Sequence, residues 1–482
     1  MNLRRIVYLY TPKFPRTVIY MLQTSEYSSN AYLKWLWRTQ DFSLVQHRKT
    51  LKLTKYARLL LFLLSGGMLI EIAAGIALIV AGIITGNIWL WSFAPAVILA
   101  YPIIASHLIV LPLEAGRLLV VKPKSKKKIR HSESVFAGHP AIKIAVAGSY
   151  GKTTMKEVLK TVLSQGLKVA ATSANHNVPI EHAKFAANLS GEEEVLIIEY
   201  GEGAPEDVAN FARVTHPTHA VITGLAPAHL DRYKTLDAAA KDIFSLATYL
   251  HSQNVYVNGE SAAIKPYLHR EYMSYRANGL DGWKVENANL GISGTSFSLH
   301  KDKINLQLHS RLIGRHQIGT LVLAAVLGLK LGLSAKQVEA GVAATEPFEH
   351  RMQPYELNGA WIIDDTYNGN IEGIKAGTEL LSELPAAKRK IYVTPGLVDQ
   401  GGETEKVHRQ MGKYIAKAKP DIVVLMNNSV CGYIKAGINA EKNFTGELII
   451  ENDPLKFYTS LDQFVAKGDL VVMQNDWPDN YS

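Results

Sequence analysis

Seven consecutive residues, Gly148-Ser149-Tyr150-Gly151-Lys152-Thr153-Thr154, stand between the mostly apolar stretch 142–147 and a helical pattern over 155–163. That order reads as strand, glycine loop and helix, and a loop of this kind cradles phosphate. Gly148 and Gly151 let backbone N–H groups approach a polyphosphate, and the helix N-terminus favours anionic charge. The Lys152 ammonium can neutralise phosphate oxygens, and the Thr153 hydroxyl can serve magnesium. ATP with Mg2+ is therefore the expected ligand. The strict spacing of the generic nucleotide loop calls for glycine at 146, where the chain has Val146, so the short form G-x-x-G-K-T-T is a narrower signal. Two further groups fall at predicted strand ends: Glu199 closes the apolar run 195–198, and His229 follows the run 220–223 by a short loop. The carboxyl ends of parallel strands are where open α/β sheets bind ligands. A carboxylate and a neutral imidazole there can both ligate magnesium or manganese.

The elements that must position these groups follow from the spacing of apolar runs. Short runs at 142–147, 195–198, 220–223 and 255–257 alternate with helical stretches, which predicts a parallel sheet covered by helices. Between 291 and 312 the pattern turns to alternating short strands, and 318–331 reads as a Leu- and Ala-rich helix. A further α/β unit begins near Pro347, with strands expected at 361–363, 391–394, 422–425 and 470–473, and a domain boundary falls near 345.

Taken in order, the runs Gly148 to Thr154, Glu199-Tyr200-Gly201, Ala228-His229-Leu230-Asp231, Lys241 within Ala-Ala-Ala-Lys-Asp-Ile-Phe, His350-Arg351-Met352 and Asp364-Asp365-Thr366-Tyr367-Asn368-Gly369-Asn370 resemble the Mur ligase family over roughly residues 140–482. Within it the chain is most similar to the subgroup that adds D-alanyl-D-alanine. The resemblance implies a central P-loop ATPase domain (140–345) on a parallel sheet and a C-terminal Rossmann-like α/β domain (346–482). It implies an enzyme that joins a muramoyl-peptide carboxylate to D-alanyl-D-alanine through an acyl phosphate, as in peptidoglycan precursor synthesis. On this reading Gly148, Ser149, Gly151, Lys152, Thr153 and Thr154 hold the ATP phosphates, with Lys152 on the β and γ groups. Thr153 and Glu199 hold one magnesium and His229 a second. Lys241 matches a lysine carried as a carbamate that supports the second metal, and Arg351 matches a hinge arginine that reaches the γ phosphate on closure. His316 and Gln317, in the run Gly314-Arg315-His316-Gln317, correspond to the adenine contact, with glutamine where the family usually has asparagine. Asp364, Asp365, Tyr367 and Asn368 would come to the nucleotide and the incoming amine from the last domain. A relative acting on a lipid-linked or other polymer acceptor, and a membrane scaffold whose nucleotide site does not turn over, remain alternatives to this reading.

Composition adds a membrane expectation. Hydrophobic residues make up 47% of the 482, and between Arg58 and Glu114 the only charged residue is Glu71. That is enough apolar length for two spans, about 59–84 and 88–111, turning at Gly86-Asn87. A carboxylate at a bilayer centre costs roughly 3 kcal/mol, but each Leu, Ile, Val or Phe returns about 0.3 to 0.6, so insertion wins despite Glu71. Residues 1–58 carry eleven Lys and Arg against two acids, and Arg117–Arg130 carries seven with none, which predicts both ends on the cytoplasmic side. The expected organisation is a basic aromatic region (1–57), a hairpin in the cytoplasmic membrane (58–113) and a basic linker (114–139). Expected partners beyond the small substrates are membrane lipid and other cell-wall enzymes; no zinc-finger or RNP pattern points to nucleic acid, and the net charge of +9 sits largely in the flanks. Met1 to Arg5 is not followed by the apolar region of a secretory leader. Cys431 is the only cysteine, which excludes an internal disulfide and a cysteine-based zinc cluster.

Overall fold

Strand β1 (Ile142–Ala147) is apolar except at Lys143, the pattern of a strand covered on both faces. The buried Lys143 ammonium donates to His139 O at 2.8 Å. A six-stranded sheet forms around β1 in the order β2, β3, β1, β4, β5, β6, with β2 Val169–Ala171, β3 Val195–Glu199, β4 His219–Ile222, β5 Val255–Asn258 and β6 Met273–Tyr275. Every pairing in it is parallel, as expected. The register sets Val146 beside Glu199 and Ala147 beside Ile222, so the carboxyl ends of β1, β3 and β4 open side by side. Leu159 and Val162 of helix Lys152–Leu163, Leu321 of His316–Lys330 and Val338 of Ala335–Ala343 pack with Ile144, Val146 and Ile197 on one face. On the other, Val208 and Phe211 of Asp207–Thr215 and Ile243 of Leu236–Ser245 meet Ala145, Leu196 and Ile198.

The alternating strands predicted between 291 and 312 belong to a second, antiparallel sheet of β7 (Gly279–Leu280), β8 (Trp283–Gly291), β9 (Gly294–Lys301) and β10 (Ile304–Ser310), in the order β10, β9, β8, β7. The last third builds a six-stranded sheet from β11 (Gln353–Leu357), β12 (Ala360–Asp365), β13 (Lys390–Thr394), β14 (Ile422–Met426), β15 (Glu447–Glu451) and β16 (Leu470–Gln474). Its order is β11, β12, β16, β13, β14, β15, and it is mixed: β11 runs antiparallel to β12 and all other pairs are parallel. The computed structural model describes residues 3–475 except 26, 46–49, 174–176, 228, 229, 368, 387 and 399. It separates into two units, one reaching Lys126 and one beginning at Lys127; the three sheets belong to the second.

In the first unit two long helices, Lys55–Thr85 and Ile88–Leu108, form an antiparallel pair. The turn is where the sequence predicts it: Gly86 adopts φ +65°, and the Asn87 side chain caps the second helix by accepting from Trp89 N at 3.0 Å. Both helices are long and apolar enough to cross a membrane. Phe62, Ile70, Ile83, Trp89, Phe93 and Ile103 are among their exposed side chains. Helix Lys13–Thr24 buries Phe14, Val18, Ile19 and Leu22 against Leu60, Leu64, Ile109 and Leu113, and Tyr32 from Ser29–Arg38 donates to Ser106 O at 2.9 Å. The basic stretch expected as a linker is helical over Lys122–Gly138; it contains no glycine before its final residue, and its one proline, Pro123, sits in the first turn of that segment.

Candidate active site

Local backbone chemistry shapes the loop after β1. Gly148 has φ +140° and Gly151 φ +72°, and a Cβ at position 148 would lie 2.4 Å from Thr223 Oγ1, so no other residue fits there without displacing β4's exit. Ser149 N donates to Gly224 O at 2.8 Å and Thr223 Oγ1 donates to Tyr150 O, which ties the loop to the end of β4. Burial pushes the Tyr150 phenol up to about 12. The helix then begins at Lys152, so its free N–H groups face the loop's concave side.

Three of the predicted groups meet here. Lys152 Nζ donates to Gly148 O and to Glu202 Oε2, each at 2.6 Å. Thr153, buried, donates its hydroxyl to Glu199 Oε1 at 3.0 Å. Glu199 Oε2 is buried and lies 3.2 Å from Lys156 Nζ, yet accepts no aligned hydrogen bond. A threonine hydroxyl beside a buried carboxylate suits a hard divalent cation. Among the described residues no cluster of three or more His, Cys, Asp or Glu could hold a metal, so the remaining ligands would be phosphate oxygens and water. His229 lies outside the described residues.

Sequence reasoning missed two members of this cluster, Lys156 and Glu202. Lys156 is fully buried and also pairs with Glu157 at 3.3 Å. Its signal was available: it stands one turn beyond Thr153 and one before Leu159, inside the apolar stripe of Met155, Val158, Leu159 and Val162.

The C-terminal residues gather separately around the loop 350–352, in which His350 (φ +59°) and Met352 (φ +46°) are left-handed. Asp364 accepts from Thr366 N at 3.0 Å through Oδ1 and pairs with His350 Nδ1 at 2.7 Å through Oδ2. Asp365 accepts from Met352 N at 3.2 Å and from Gln474 Nε2 at 2.8 Å, and its burial pushes the carboxyl up to about 7. The Arg351 guanidinium lies 4.2 Å over the Tyr367 ring with Nε buried and unpartnered. Burial lowers its pKa, while the charges of Asp365, Tyr367 and Glu199 act to keep it protonated. Asn368 lies outside the described residues.

The remaining candidates stand apart from that cluster. Lys241 is on the outer face of helix Leu236–Ser245, 73% exposed and paired with Asp237 at 2.8 Å; the structure does not bring it to Glu199. Its neighbour Asp242 faces inward, where Tyr233 OH donates to it at 2.7 Å and burial raises its pKa. His316 and Gln317 open the helix His316–Lys330, with Gln317 Nε2 3.0 Å from His316 Nε2 and the imidazole pushed down to about 4 by burial. It is therefore neutral and accepts from the amide. Thr154, in the first turn of its helix, is partly exposed.

Comparison with known proteins places the chain in a family. The chain is 28% identical over 296 residues to the UDP-N-acetylmuramoyl-tripeptide–D-alanyl-D-alanine ligase of Escherichia coli, covering 59% of this chain and 64% of that protein. It is 26% identical over 281 residues to the ligase of the same name from Mycobacterium tuberculosis, covering 56% and 55%. The chain thus spans less than two thirds of the length of either relative. It shares its fold with MurF from Acinetobacter baumannii (TM-score 0.64, 19% identity, 73% of this chain and 77% of that one) and with MurF ligase from Thermotoga maritima in complex with ADP (TM-score 0.63, 19% identity, 74% and 81%). Residues 146–328 match the Mur ligase middle domain and residues 350–474 the Mur ligase glutamate ligase domain. These two matches together take in more than half of the chain, which belongs to the Mur ligase family.

Proposed function

We propose that the chain is an ATP- and Mg2+-dependent amide ligase of peptidoglycan precursor synthesis that joins a muramoyl-tripeptide carboxylate to D-alanyl-D-alanine. The observation that carries the reading is the Thr153 hydroxyl 3.0 Å from Glu199, beside a glycine loop bearing Lys152. A carboxylate is a poor electrophile. In the first step its oxygen bonds to the γ phosphorus while the bond from that phosphorus to the β-phosphate oxygen breaks, releasing ADP. In the second the amine nitrogen bonds to the acyl carbon, the carbon–oxygen bond to phosphate breaks, phosphate leaves and the nitrogen loses its proton. The protein's part is positioning and charge. Lys152 would neutralise the β and γ oxygens, Thr153 and Glu199 would hold the cation, with His229 as a further ligand, and Arg351 would supply a second positive group at the γ position. A divalent cation held there would supply positive charge to the phosphate oxygens. His316 and Gln317 would take the base, and Asp364, Asp365, Tyr367 and Asn368 the nucleotide and the amine, from a C-terminal domain beginning near 346. Lys241 could serve as a carbamate only after leaving Asp237.

The two long apolar helices favour a refinement, that the hairpin crosses the cytoplasmic membrane with both flanks on the cytoplasmic side and that the acceptor is lipid-linked or handed over by a neighbouring wall enzyme. The deciding experiment is amine-dependent phosphate release from ATP by the detergent-solubilised chain, with product mass read in parallel, on a uridine-linked and on a lipid-linked muramoyl tripeptide. A product heavier by one dipeptide residue is expected, with the lipid-linked acceptor turned over faster. Equal turnover of the two acceptors would end the lipid-linked refinement, and ATP binding without product from either would end the ligase reading. Lys152→Ala is expected to slow turnover about a hundredfold or more, whereas a scaffold would tolerate it in cells.

A further inference from the structure

The lysine of the phosphate loop already has a full set of charged company. Lys152 Nζ is 2.6 Å from Glu202 Oε2 and 2.6 Å from Gly148 O, and the two side chains are only 13% and 5% exposed. Behind them Lys156 stands 3.2 Å from Glu199, which also accepts from Thr153. Two buried lysines therefore face two buried glutamates, with Glu157 also 3.3 Å from Lys156, so each ammonium already has a carboxylate partner.

We propose that Glu202 makes this site selective for nucleotide carried as its divalent-cation complex. The inference rests on the nucleotide reading above. A phosphate oxygen reaching Lys152 must share its ammonium with Glu202, and two anions on one ammonium lie within about 6 Å of each other, where a partly buried setting makes their repulsion worth far more than in water. Gly148 O, being neutral, does nothing to relieve this. A free triphosphate enters a site whose positive charge is already spoken for. A nucleotide that brings its own cation does not, because the added positive charge offsets that of the phosphates and would be taken beside Thr153 Oγ1 and the Glu199 carboxylate, whose Oε2 meets Lys156 at 3.2 Å without an aligned hydrogen bond. Glu202 thus acts through Lys152 as a positioning residue, and its place in the sequence, Gly201-Glu202-Gly203 just beyond β3, lets it fold back over the loop.

The test is titration calorimetry of the detergent-solubilised full chain with ATP, once with Mg2+ and once with a chelator, for the wild type and Glu202→Gln. The wild type should bind the magnesium complex much more tightly than free ATP. In Glu202→Gln free ATP should bind about tenfold or more tighter, with a smaller change for the complex, so that the ratio between the two collapses. An unchanged ratio, or weaker binding of free ATP, overturns the proposal alone. Glu202→Ser, which lets water solvate Lys152, repeats the test should the amide variant fail to fold, with melting curves as the check. A wild type that binds ATP in neither condition overturns the nucleotide reading and the proposal together.

Discussion

Lys156 is the residue whose chemistry is least expected from its type: a lysine with no exposed surface, stationed against Glu199 and Glu157. Removing one partner of a buried ion pair leaves the other charge stranded, at a cost of about 3 kcal/mol or more. Lys156→Met should therefore lower the denaturation midpoint of the chain clearly, and an unchanged midpoint would show that the pair is not worth its burial. Asp365 makes an opposite case. Its folded pKa of about 7 lies above the ordinary carboxylate value because burial dominates, so the native state holds a proton that the unfolded chain releases near pH 4. Stability from this group is present below pH 4 and is lost as pH rises toward 7, by up to about 4 kcal/mol. Asp365→Asn cannot ionise, so its stability relative to wild type should rise between pH 4 and 7 and level off above; a parallel pH profile would refute the shift. Much of the site was legible at this scale. The glycine loop is local chemistry, readable from seven neighbours, and Glu199 is marked by its strand. The pairing of Lys152 with Glu202 was not legible, because it depends on where the chain after β3 returns in space.

At the scale of elements, the phase of a helix decides what a residue can do. Lys241 and Asp242 are neighbours in sequence but about 100° apart around their helix, and one-residue phase is what separates an exposed lysine paired with Asp237 from a buried aspartate held by Tyr233. Position in a motif could not show this; the buried face of Leu236–Ser245, with Ala239, Ala240 and Ile243, does. Strand β11 was missed for a related reason: Gln-Pro-Tyr-Glu-Leu has no apolar alternation to announce it, and only pairing with β12 makes it a strand. The hairpin was legible throughout because its pattern is long, yet its closeness was not. At Gly82 a Cβ would lie 2.8 Å from Trp91 N, a backbone atom that cannot step aside, whereas at Gly66 it would meet nothing within 4 Å. Gly82→Ala is accordingly expected to destabilise the helix pair in detergent by about 1–3 kcal/mol. Gly66→Ala should be neutral or stabilising by about 0.5–1 kcal/mol. Similar thermal midpoints for the two variants would mean that the helices do not pack as described.

For the molecule as a whole, charge along the chain makes a commitment about sidedness. The flanks of the hairpin hold eleven and seven basic residues, and between them the chain turns at Gly86-Asn87 without a lysine or arginine. Retaining basic flanks on the cytoplasmic side sets topology far more strongly than acidic residues do, so the turn is expected on the outer face with Lys124 inside. The sequence makes the experiment clean, since Cys431 is the only native thiol and it is buried, where desolvation also raises its pKa and so suppresses thiolate. Ile88→Cys, at a position 58% exposed beside the turn, should react with a membrane-impermeant maleimide on intact cells. Lys124→Cys should react only after the membrane is opened. Labelling of Lys124→Cys on intact cells would invert the topology and place the phosphate loop on the side without ATP, which the ligase reading cannot survive. Protection of both positions until lysis would instead mean a hairpin lying on the inner surface, leaving the catalytic reading intact and ending the transmembrane one.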